Sequence, residues 1–95
     1  MYTVYVLYSK SFDKIYIGFT SDIDQRLVSH NHPDNKGWTR KFAPWTIVYS
    51  EQYGLKSDAM TREKQLKSHQ GRDFVRMKVK EHYISSGGHS VGNII

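Results

Sequence analysis

The sequence predicts a small α+β domain in which a three-stranded antiparallel sheet is flanked by helices, in the order β-β-α-β-α-α. Three observations favour this class. Short stretches rich in β-branched and aromatic residues alternate with longer stretches of helical spacing. A polar connector of hairpin length separates the first two strand-like stretches. The chain has 95 residues, of which 38% are hydrophobic, so it supports one core and leaves no room for a second domain.

The first two strands are predicted to form a hairpin. Apolar and aromatic residues occupy both sets of alternate positions in Tyr2–Tyr8, so this strand is expected to be buried on both faces. The polar segment Ser9–Lys14 leads to a second strand that is expected to end at Gly18. Antiparallel pairing of these strands would make Tyr5 and Tyr16 neighbours.

A helix is predicted to follow the second strand. Thr20 or Ser21 is expected to cap its free amide groups, since short hydroxyl side chains accept hydrogen bonds from the first turn. Arg26 and His30 are four residues apart and therefore share one edge of the apolar stripe of this helix. Both are expected to face back toward Tyr16, so that a phenol, a guanidinium and an imidazole converge.

A basic loop and a third strand come next. The segment Asn31–Pro44 combines several helix- and strand-breaking residues with Lys36, Arg40 and Lys41, which is typical of an irregular, positively charged loop. The strand pattern resumes at Trp45–Tyr53, which predicts the third strand of the sheet.

Two helices complete the predicted domain. Ser57 is expected to cap the first of them, and Gly71 is expected to separate it from a basic helix at Arg72–Ser85. Glu63 falls within the apolar stripe, where an isolated carboxylate is costly unless it is paired or binds a cation. Lys67, one turn later, offers an ion pair. A salt bridge and a metal-binding or catalytic role therefore both stay open for Glu63.

Composition narrows the class of protein and its setting. The Gly- and Ser-rich residues 86–95 predict a flexible tail beyond a domain at 1–85. The absence of cysteine excludes a disulfide scaffold and a cysteine-ligated zinc site. No apolar run is long enough to span a bilayer, so we expect a soluble cytoplasmic protein. The net charge of +5 favours a polyanionic partner, with nucleic acid ahead of an anionic membrane surface.

The ordered motifs resemble a known family, the GIY-YIG nuclease domain. The resemblance is closest to the small single-domain bacterial members, which are similar to the amino-terminal nuclease domain of the bacterial excision-repair nuclease. It covers residues 1–85, and an ordered set on the predicted elements is more specific than the two tripeptides alone. The matching residues are Thr3-Val4-Tyr5, Tyr16-Ile17-Gly18, Arg26, His30 and Glu63.

The resemblance implies a metal-dependent endonuclease that hydrolyses DNA phosphodiester bonds, directed by DNA structure or only weakly by sequence, in DNA repair or recombination. Glu63 matches the ligand of Mg²⁺ or Mn²⁺, and one carboxylate with several water molecules is a sufficient anchor. Tyr16 matches the residue often assigned as proton acceptor for the attacking water, with Tyr5 orienting the water or Tyr16. Arg26 matches a donor to the scissile phosphate. His30 matches a position held by Tyr or His, suited to relaying a proton.

Each of these residues also has a purely structural interpretation. Tyrosines in strands, such as Tyr5 and Tyr16, are more often core residues or members of cross-strand pairs, and His30 is also typical of a satisfied histidine at the edge of a helix. Gly18 either permits close approach or simply ends a strand. Four basic residues are expected to contact the DNA backbone without sequence preference, or to form a solvated face: Arg40, Lys41, Lys67 and Arg72.

Two alternative functions come from other classes. Phe19 stands where the excision-repair members carry Lys, which favours a nucleic-acid-binding module on the same fold with weak or absent catalysis. A metal protein based on His30, His32 or His69 lacks the additional ligands that a tetrahedral site needs.

Overall fold

The predicted architecture is confirmed in a computed structural model, which describes residues 1–34 and 37–87. The three strands are β1 (Tyr2–Ser9), β2 (Lys14–Thr20) and β3 (Thr46–Tyr53), and they form one antiparallel sheet in the order β2-β1-β3. The α-helices are α1 (Ile23–Asn31), α2 (Lys56–Lys67) and α3 (His69–Gly87). A 3-10 helix at Trp38–Phe42 lies in the segment that was expected to be an irregular loop.

The central strand β1 separates two apolar clusters, as its two-sided pattern predicts. Because successive side chains of a strand point to opposite faces, its even- and odd-numbered residues enter different clusters. The first cluster is formed with α2 and α3 and has as its buried members Val4, Val6, Ala59, Leu66 and Val75. The second faces α1 and the 3-10 helix and has as its buried members Tyr5, Leu7 and Trp45. Tyr5 and Tyr16 of the candidate site lie on the side of this second cluster.

The second strand was expected to end at Gly18. Instead, it continues to Thr20. The reason is its pairing with β1, which runs along the whole strand and places Tyr5 opposite Gly18 and Thr3 opposite Thr20. Strand pairing therefore overrides the low strand propensity of glycine.

The cap of α1 is Asp22 rather than Thr20 or Ser21. The Asp22 carboxylate accepts a hydrogen bond from the backbone N–H of Gln25 at 3.1 Å. The Thr20 hydroxyl instead accepts from the N–H of Asp22 at 3.1 Å, which turns the chain from the strand into the helix.

The α2–α3 junction corrects two further expectations. Helix α2 begins at Lys56, because the carbonyl of Leu55 already accepts the N–H of Ala59 at 3.2 Å, and Ser57 lies inside the first turn. The break between the helices falls at Ser68, whose hydroxyl accepts the N–H of Gly71 at 3.1 Å.

Gly71 lies inside α3, so it does not separate the helices. A Cβ atom at this position would lie 2.2 Å from the carbonyl oxygen of Gln65. Glycine is needed here because the first turn of α3 packs against the backbone at the end of α2. Gly71 therefore permits a close contact between the helices and does not end a helix, as was expected.

The far end of α3 reaches Gly87. The tail predicted for 86–95 lies mostly outside the described residues and stays a prediction. Among 1–34 and 37–87, no helix is both long enough and apolar enough to cross a membrane.

Candidate active site

The site is built around the close contact between Tyr5 and Gly18. These residues face each other across β1 and β2, and Tyr5 is only 1% exposed. A Cβ atom added to Gly18 would lie 2.7 Å from the Tyr5 hydroxyl oxygen and 3.1 Å from Cε1 of Tyr16. Only glycine leaves room for both phenol rings on this face, so Gly18 has the close-approach role rather than that of a strand terminator.

A buried series of hydrogen bonds, here called the buried chain, links Tyr5 to His30 and His30 to Thr39. The Tyr5 hydroxyl lies 3.2 Å from Nε2 of His30, and Nδ1 of His30 lies 3.1 Å from the hydroxyl of Thr39. His30 and Thr39 are each 6% exposed. The chain joins β1, α1 and the 3-10 helix, so His30 is both satisfied and connected to Tyr5.

Tyr16 is the more accessible of the two motif tyrosines. Its ring stacks against Tyr5 with 6.2 Å between centroids and lies 4.6 Å from the His30 ring. On its other sides it meets Trp38 and Trp45, each with 6.4 Å between centroids. The expected proximity of Tyr5, Tyr16 and His30 is therefore observed, with Tyr16 toward the surface and the other two beneath it.

Arg26 and Glu63 act on this group electrostatically. Burial and the adjacent Tyr16 raise the pKa of Tyr5 well above its usual value; the Arg26 guanidinium opposes this rise, and the Glu63 carboxylate adds to it. Burial and then Arg26 lower the pKa of His30, so its imidazole is neutral near pH 7. Arg26 therefore affects both Tyr5 and His30, whereas Glu63 affects Tyr5.

The ion pair predicted for Glu63 is present. Its carboxylate lies 3.7 Å from Nζ of Lys67, one helical turn later, and the Glu63 side chain is 20% exposed. At this distance the contact is a loose ion pair, and it leaves the carboxylate close to solvent.

The donor set limits the kind of metal ion that fits. Within 1–34 and 37–87, no group of three or more His, Cys, Asp and Glu side chains is arranged to hold a metal ion. Glu63 therefore fits a strongly hydrated cation such as Mg²⁺, which keeps several waters and needs only one or two carboxylates. A zinc-type histidine site does not fit, since His30 is bonded to Tyr5 and Thr39.

A groove of about 600 Å³ opens beside Tyr16, along the edge formed by β2. Trp38 lines it together with four basic residues: Lys14, Lys67, Arg72 and Arg76. Asp13 also lines it and pairs with Arg76 at 2.9 Å. The basic side chains outnumber the acidic ones, so the groove is suited to an anionic ligand.

The structure brings together only part of the predicted nucleic-acid-binding set. Lys67 and Arg72 line the groove. Arg40 and Lys41 belong to the 3-10 helix and do not line it; Nε of Arg40 donates to the carbonyl of Pro33 at 3.3 Å.

Several residues of the site were missed in the sequence. Lys14 and Arg76 are distant along the chain and meet only through folding. Thr39 gave no signal, because its partner His30 is reached only when the 3-10 helix packs against α1. Trp38 and Trp45 did give a signal in the sequence, because tryptophans are unusual in a polar, basic segment.

Comparison with family models matches residues 1–80 to the GIY-YIG catalytic domain. This chain belongs to the GIY-YIG family. It is similar to UPF0213 proteins, including one from Halobacterium salinarum that is 37% identical over 67 residues, covering 70% of this chain and 86% of that protein. A UPF0213 protein from Staphylococcus haemolyticus is 30% identical over 74 residues, covering 78% and 89%. The solution structure of a UPF0213 protein from Bacillus halodurans is 28% identical, with a TM-score of 0.49 and coverage of 81% and 84%.

The GIY-YIG motif positions lie on the two paired strands β1 and β2, with Tyr5 opposite Gly18. Phe19 packs against the cluster that contains Val4 and Leu66, on the opposite face of the sheet. A side chain at position 19 therefore points away from Tyr16, whereas Lys67 lines the groove beside it.

Proposed function

We propose that this protein is a divalent-metal-dependent endonuclease that hydrolyses DNA phosphodiester bonds, with DNA structure rather than base sequence directing the cut. The observation that carries the proposal is the position of Tyr16. One side of its ring meets the buried Tyr5–His30 pair, and the residue also lines the basic groove. Membership of the GIY-YIG family supports the same chemistry. A role in DNA repair or recombination is part of the proposal.

The groove supports binding through the phosphate backbone. Lys14, Lys67, Arg72 and Arg76 offer ammonium and guanidinium donors along one edge of a domain whose net charge is +5. Contacts of this kind position a nucleic acid but carry no sequence information directly. Binding is therefore expected to weaken steeply with salt and to depend little on base sequence.

The buried chain supports proton removal from the attacking water. In the proposed step the water oxygen forms a bond to phosphorus as the bond from phosphorus to the leaving sugar oxygen breaks. The water proton passes to Tyr16, the Tyr16 proton to Tyr5, and the Tyr5 proton to Nε2 of His30, while the leaving oxygen takes a proton from solvent. Neutral His30 suits this role, because only an unprotonated ring nitrogen can accept.

Arg26 and Glu63 supply the electrostatic part of the proposal. The exposed Arg26 guanidinium would donate to the phosphate oxygens, on which negative charge grows during attack. Glu63 would hold Mg²⁺ or Mn²⁺. The bound cation would stabilise that same negative charge.

The second candidate is a nucleic-acid-binding module without turnover. The Glu63–Lys67 ion pair favours it, since Lys67 neutralises the carboxylate that would anchor the cation. The two candidates share the groove and the fold but differ in whether Glu63 matters for the result.

The test is cleavage of labelled single-stranded, duplex, flapped and branched DNA, with RNA counterparts, in the presence and absence of Mg²⁺ or Mn²⁺. Wild type is compared with Glu63→Gln and with the matched control Glu81→Gln, which removes an exposed acid on α3 that pairs with Lys78 at 3.3 Å. We expect cleavage by wild type and Glu81→Gln only when metal is present, and none by Glu63→Gln. Binding of every substrate without cleavage by any protein would establish the binding module instead.

A further inference from the structure

We propose that Thr39 is a positioning residue that holds His30 as the tautomer with its proton on Nδ1, which leaves Nε2 to accept from the Tyr5 hydroxyl. The inference deepens the proposed function, and its kinetic part rests on that function. Its structural part concerns only which ring nitrogen carries the proton.

The two hydrogen bonds of neutral His30 can be directed in only two ways. A neutral imidazole has one N–H donor and one bare nitrogen acceptor. His30 lies between two hydroxyl groups, with Nε2 3.2 Å from Tyr5 and Nδ1 3.1 Å from Thr39. Either Tyr5 donates to Nε2 while Nδ1–H donates to Thr39, or both hydrogen bonds run in the opposite direction.

The chemistry of the two hydroxyl groups favours the first arrangement. A phenol is much more acidic than an aliphatic alcohol, so Tyr5 is the stronger donor to a basic ring nitrogen. The phenol oxygen shares its lone pairs with the aromatic ring, so the Thr39 oxygen is the better acceptor for an N–H group. Both hydrogen bonds are therefore strongest when Tyr5 donates to His30 and His30 donates to Thr39.

Thr39 is fixed in place by its surroundings, as an orienting residue must be. Its carbonyl oxygen accepts the indole N–H of Trp45 at 2.7 Å. The backbone N–H of Trp45 donates to the Asn31 side chain at 2.7 Å, and the Asn31 amide donates back to the Trp45 carbonyl at 3.2 Å. Asn31 directly follows His30 in α1. The same buried tryptophan thus holds the 3-10 helix and the end of α1 together.

The direction of the Tyr5–His30 hydrogen bond decides whether the Tyr5 oxygen can accept a hydrogen bond from Tyr16. With the Tyr5 proton directed at Nε2, the oxygen of Tyr5 is available to accept from the phenol stacked beside it. With the opposite tautomer, Nε2 of His30 would carry the proton and donate to Tyr5. It could then not accept the Tyr5 proton, as the proposed proton transfer requires. The groups that bear on this pair are Tyr16 from β2, Arg26 from α1 and Glu63 from α2.

The test measures the tautomer of His30 by ¹⁵N NMR of its ring nitrogens in wild type, Thr39→Val and Thr39→Ser. Valine keeps the shape but removes the hydroxyl, and serine restores the hydroxyl. We expect the Nδ1–H tautomer in wild type and Thr39→Ser, and a mixed or reversed population in Thr39→Val. Finding Nε2–H in wild type, or an unchanged spectrum in Thr39→Val, would overturn the inference.

Kinetics on the preferred DNA substrate give the second measurement. We expect kcat of Thr39→Val to fall by about tenfold, the value of one lost hydrogen bond, with KM unchanged and kcat restored in Thr39→Ser. The matched control is Thr61→Val, which removes a hydroxyl that donates at 3.0 Å to the carbonyl of Ser57 on the solvent-exposed face of α2. An equal fall in the control would show a general loss of stability and contradict a positioning role.

The two proposals fail in different ways. If wild type cleaves nothing, the nuclease proposal fails, whereas the NMR spectrum still decides the tautomer. If Thr39→Val does not fold, Thr39→Ala takes its place in the NMR measurement, since alanine also removes the hydroxyl.

Discussion

Tyr5 and His30 are joined by a 3.2 Å contact between the phenol oxygen and Nε2, although they are separated by the whole of β2 and most of α1. The contact ties the central strand to the helix that covers it. Both partners are buried, and burial raises the pKa of Tyr5 and lowers the pKa of His30. Substitutions at this contact and at the elements that support it are therefore expected to have measurable effects.

Replacement of Gly18 by alanine is expected to destabilise the fold and disturb the site together. The new Cβ would lie 2.7 Å from the Tyr5 hydroxyl, so a buried ring must move, at a cost of about 1–3 kcal/mol in the free energy of unfolding. Urea unfolding measures this cost. The matched control is Gly54→Ala, where a Cβ meets nothing within 4 Å. Equal midpoints for Gly18→Ala and wild type would contradict the close packing described for Tyr5.

The stability of the protein is expected to depend on pH through His30. Burial and Arg26 lower the pKa of this histidine in the folded state. Below the unfolded-state value of about 6.5, the unfolded chain therefore binds a proton that the folded chain does not, and the free energy of unfolding falls as pH falls. Above that value the effect vanishes. His30→Gln should flatten the pH dependence of urea unfolding below about pH 6.5, whereas the exposed control His69→Gln should leave the wild-type pH dependence in place.

A carboxylate on β3, Glu51, is expected to stabilise the edge of the sheet opposite β2. Glu51 accepts hydrogen bonds from Nε and Nη2 of Arg62 at 2.9 and 3.0 Å, from Tyr53 at 2.5 Å, and from Tyr49. Burial raises the pKa of Glu51, but hydrogen bonds from Arg62 and the two tyrosines outweigh it and lower the pKa overall.

Loss of the Glu51 charge is therefore expected to cost about 1–3 kcal/mol in the free energy of unfolding. Glu51→Gln tests this by thermal or urea unfolding, with Glu81→Gln as the exposed control. Since the folded-state pKa is depressed, this contribution is present above the unfolded-state value and is lost as pH falls through the folded-state value. A Glu51→Gln protein as stable as wild type at pH 7 would show that the cluster contributes no net stability.

The groove cations are expected to set DNA affinity and its salt dependence. Arg72→Gln should weaken binding to all sequences alike and reduce the slope of log affinity against log salt by about 1. Arg40→Gln, outside the groove, is the matched control and should change the slope less. Fluorescence anisotropy across a salt series measures both. Equal slopes for the two variants would place the DNA elsewhere on the surface.

The sequence was most informative where local pattern and tertiary packing agree. The two-sided apolar pattern of Tyr2–Tyr8 predicted a strand buried on both faces, and the polar connector predicted the hairpin that makes Tyr5 and Tyr16 neighbours. The spacing of Arg26 and His30 predicted that both lie on the helix edge that faces the tyrosines, since residues four apart share a helix face; the ring of His30 does lie 4.6 Å from that of Tyr16.

The errors arose where a long-range contact decided the local structure. Gly18 continues a strand because β1 pairs with it, and Gly71 is needed because α3 begins against the carbonyl of Gln65. Neither requirement is visible in a window of neighbouring residues. Thr39 was missed for the same reason, since its role depends on packing of the 3-10 helix against His30.

The strand order β2-β1-β3 gives the two motif tyrosines different freedom to move. Tyr5 comes from the central strand, whose backbone is hydrogen-bonded on both sides, whereas Tyr16 comes from β2, which within the described residues pairs with β1 alone. Native sheets open locally from their weakest elements, so backbone amides of β2 are expected to exchange with solvent sooner than those of β1. The buried Tyr5–His30 pair is therefore expected to be the more rigid part of the site, and Tyr16 the part whose backbone can adjust more readily at the groove.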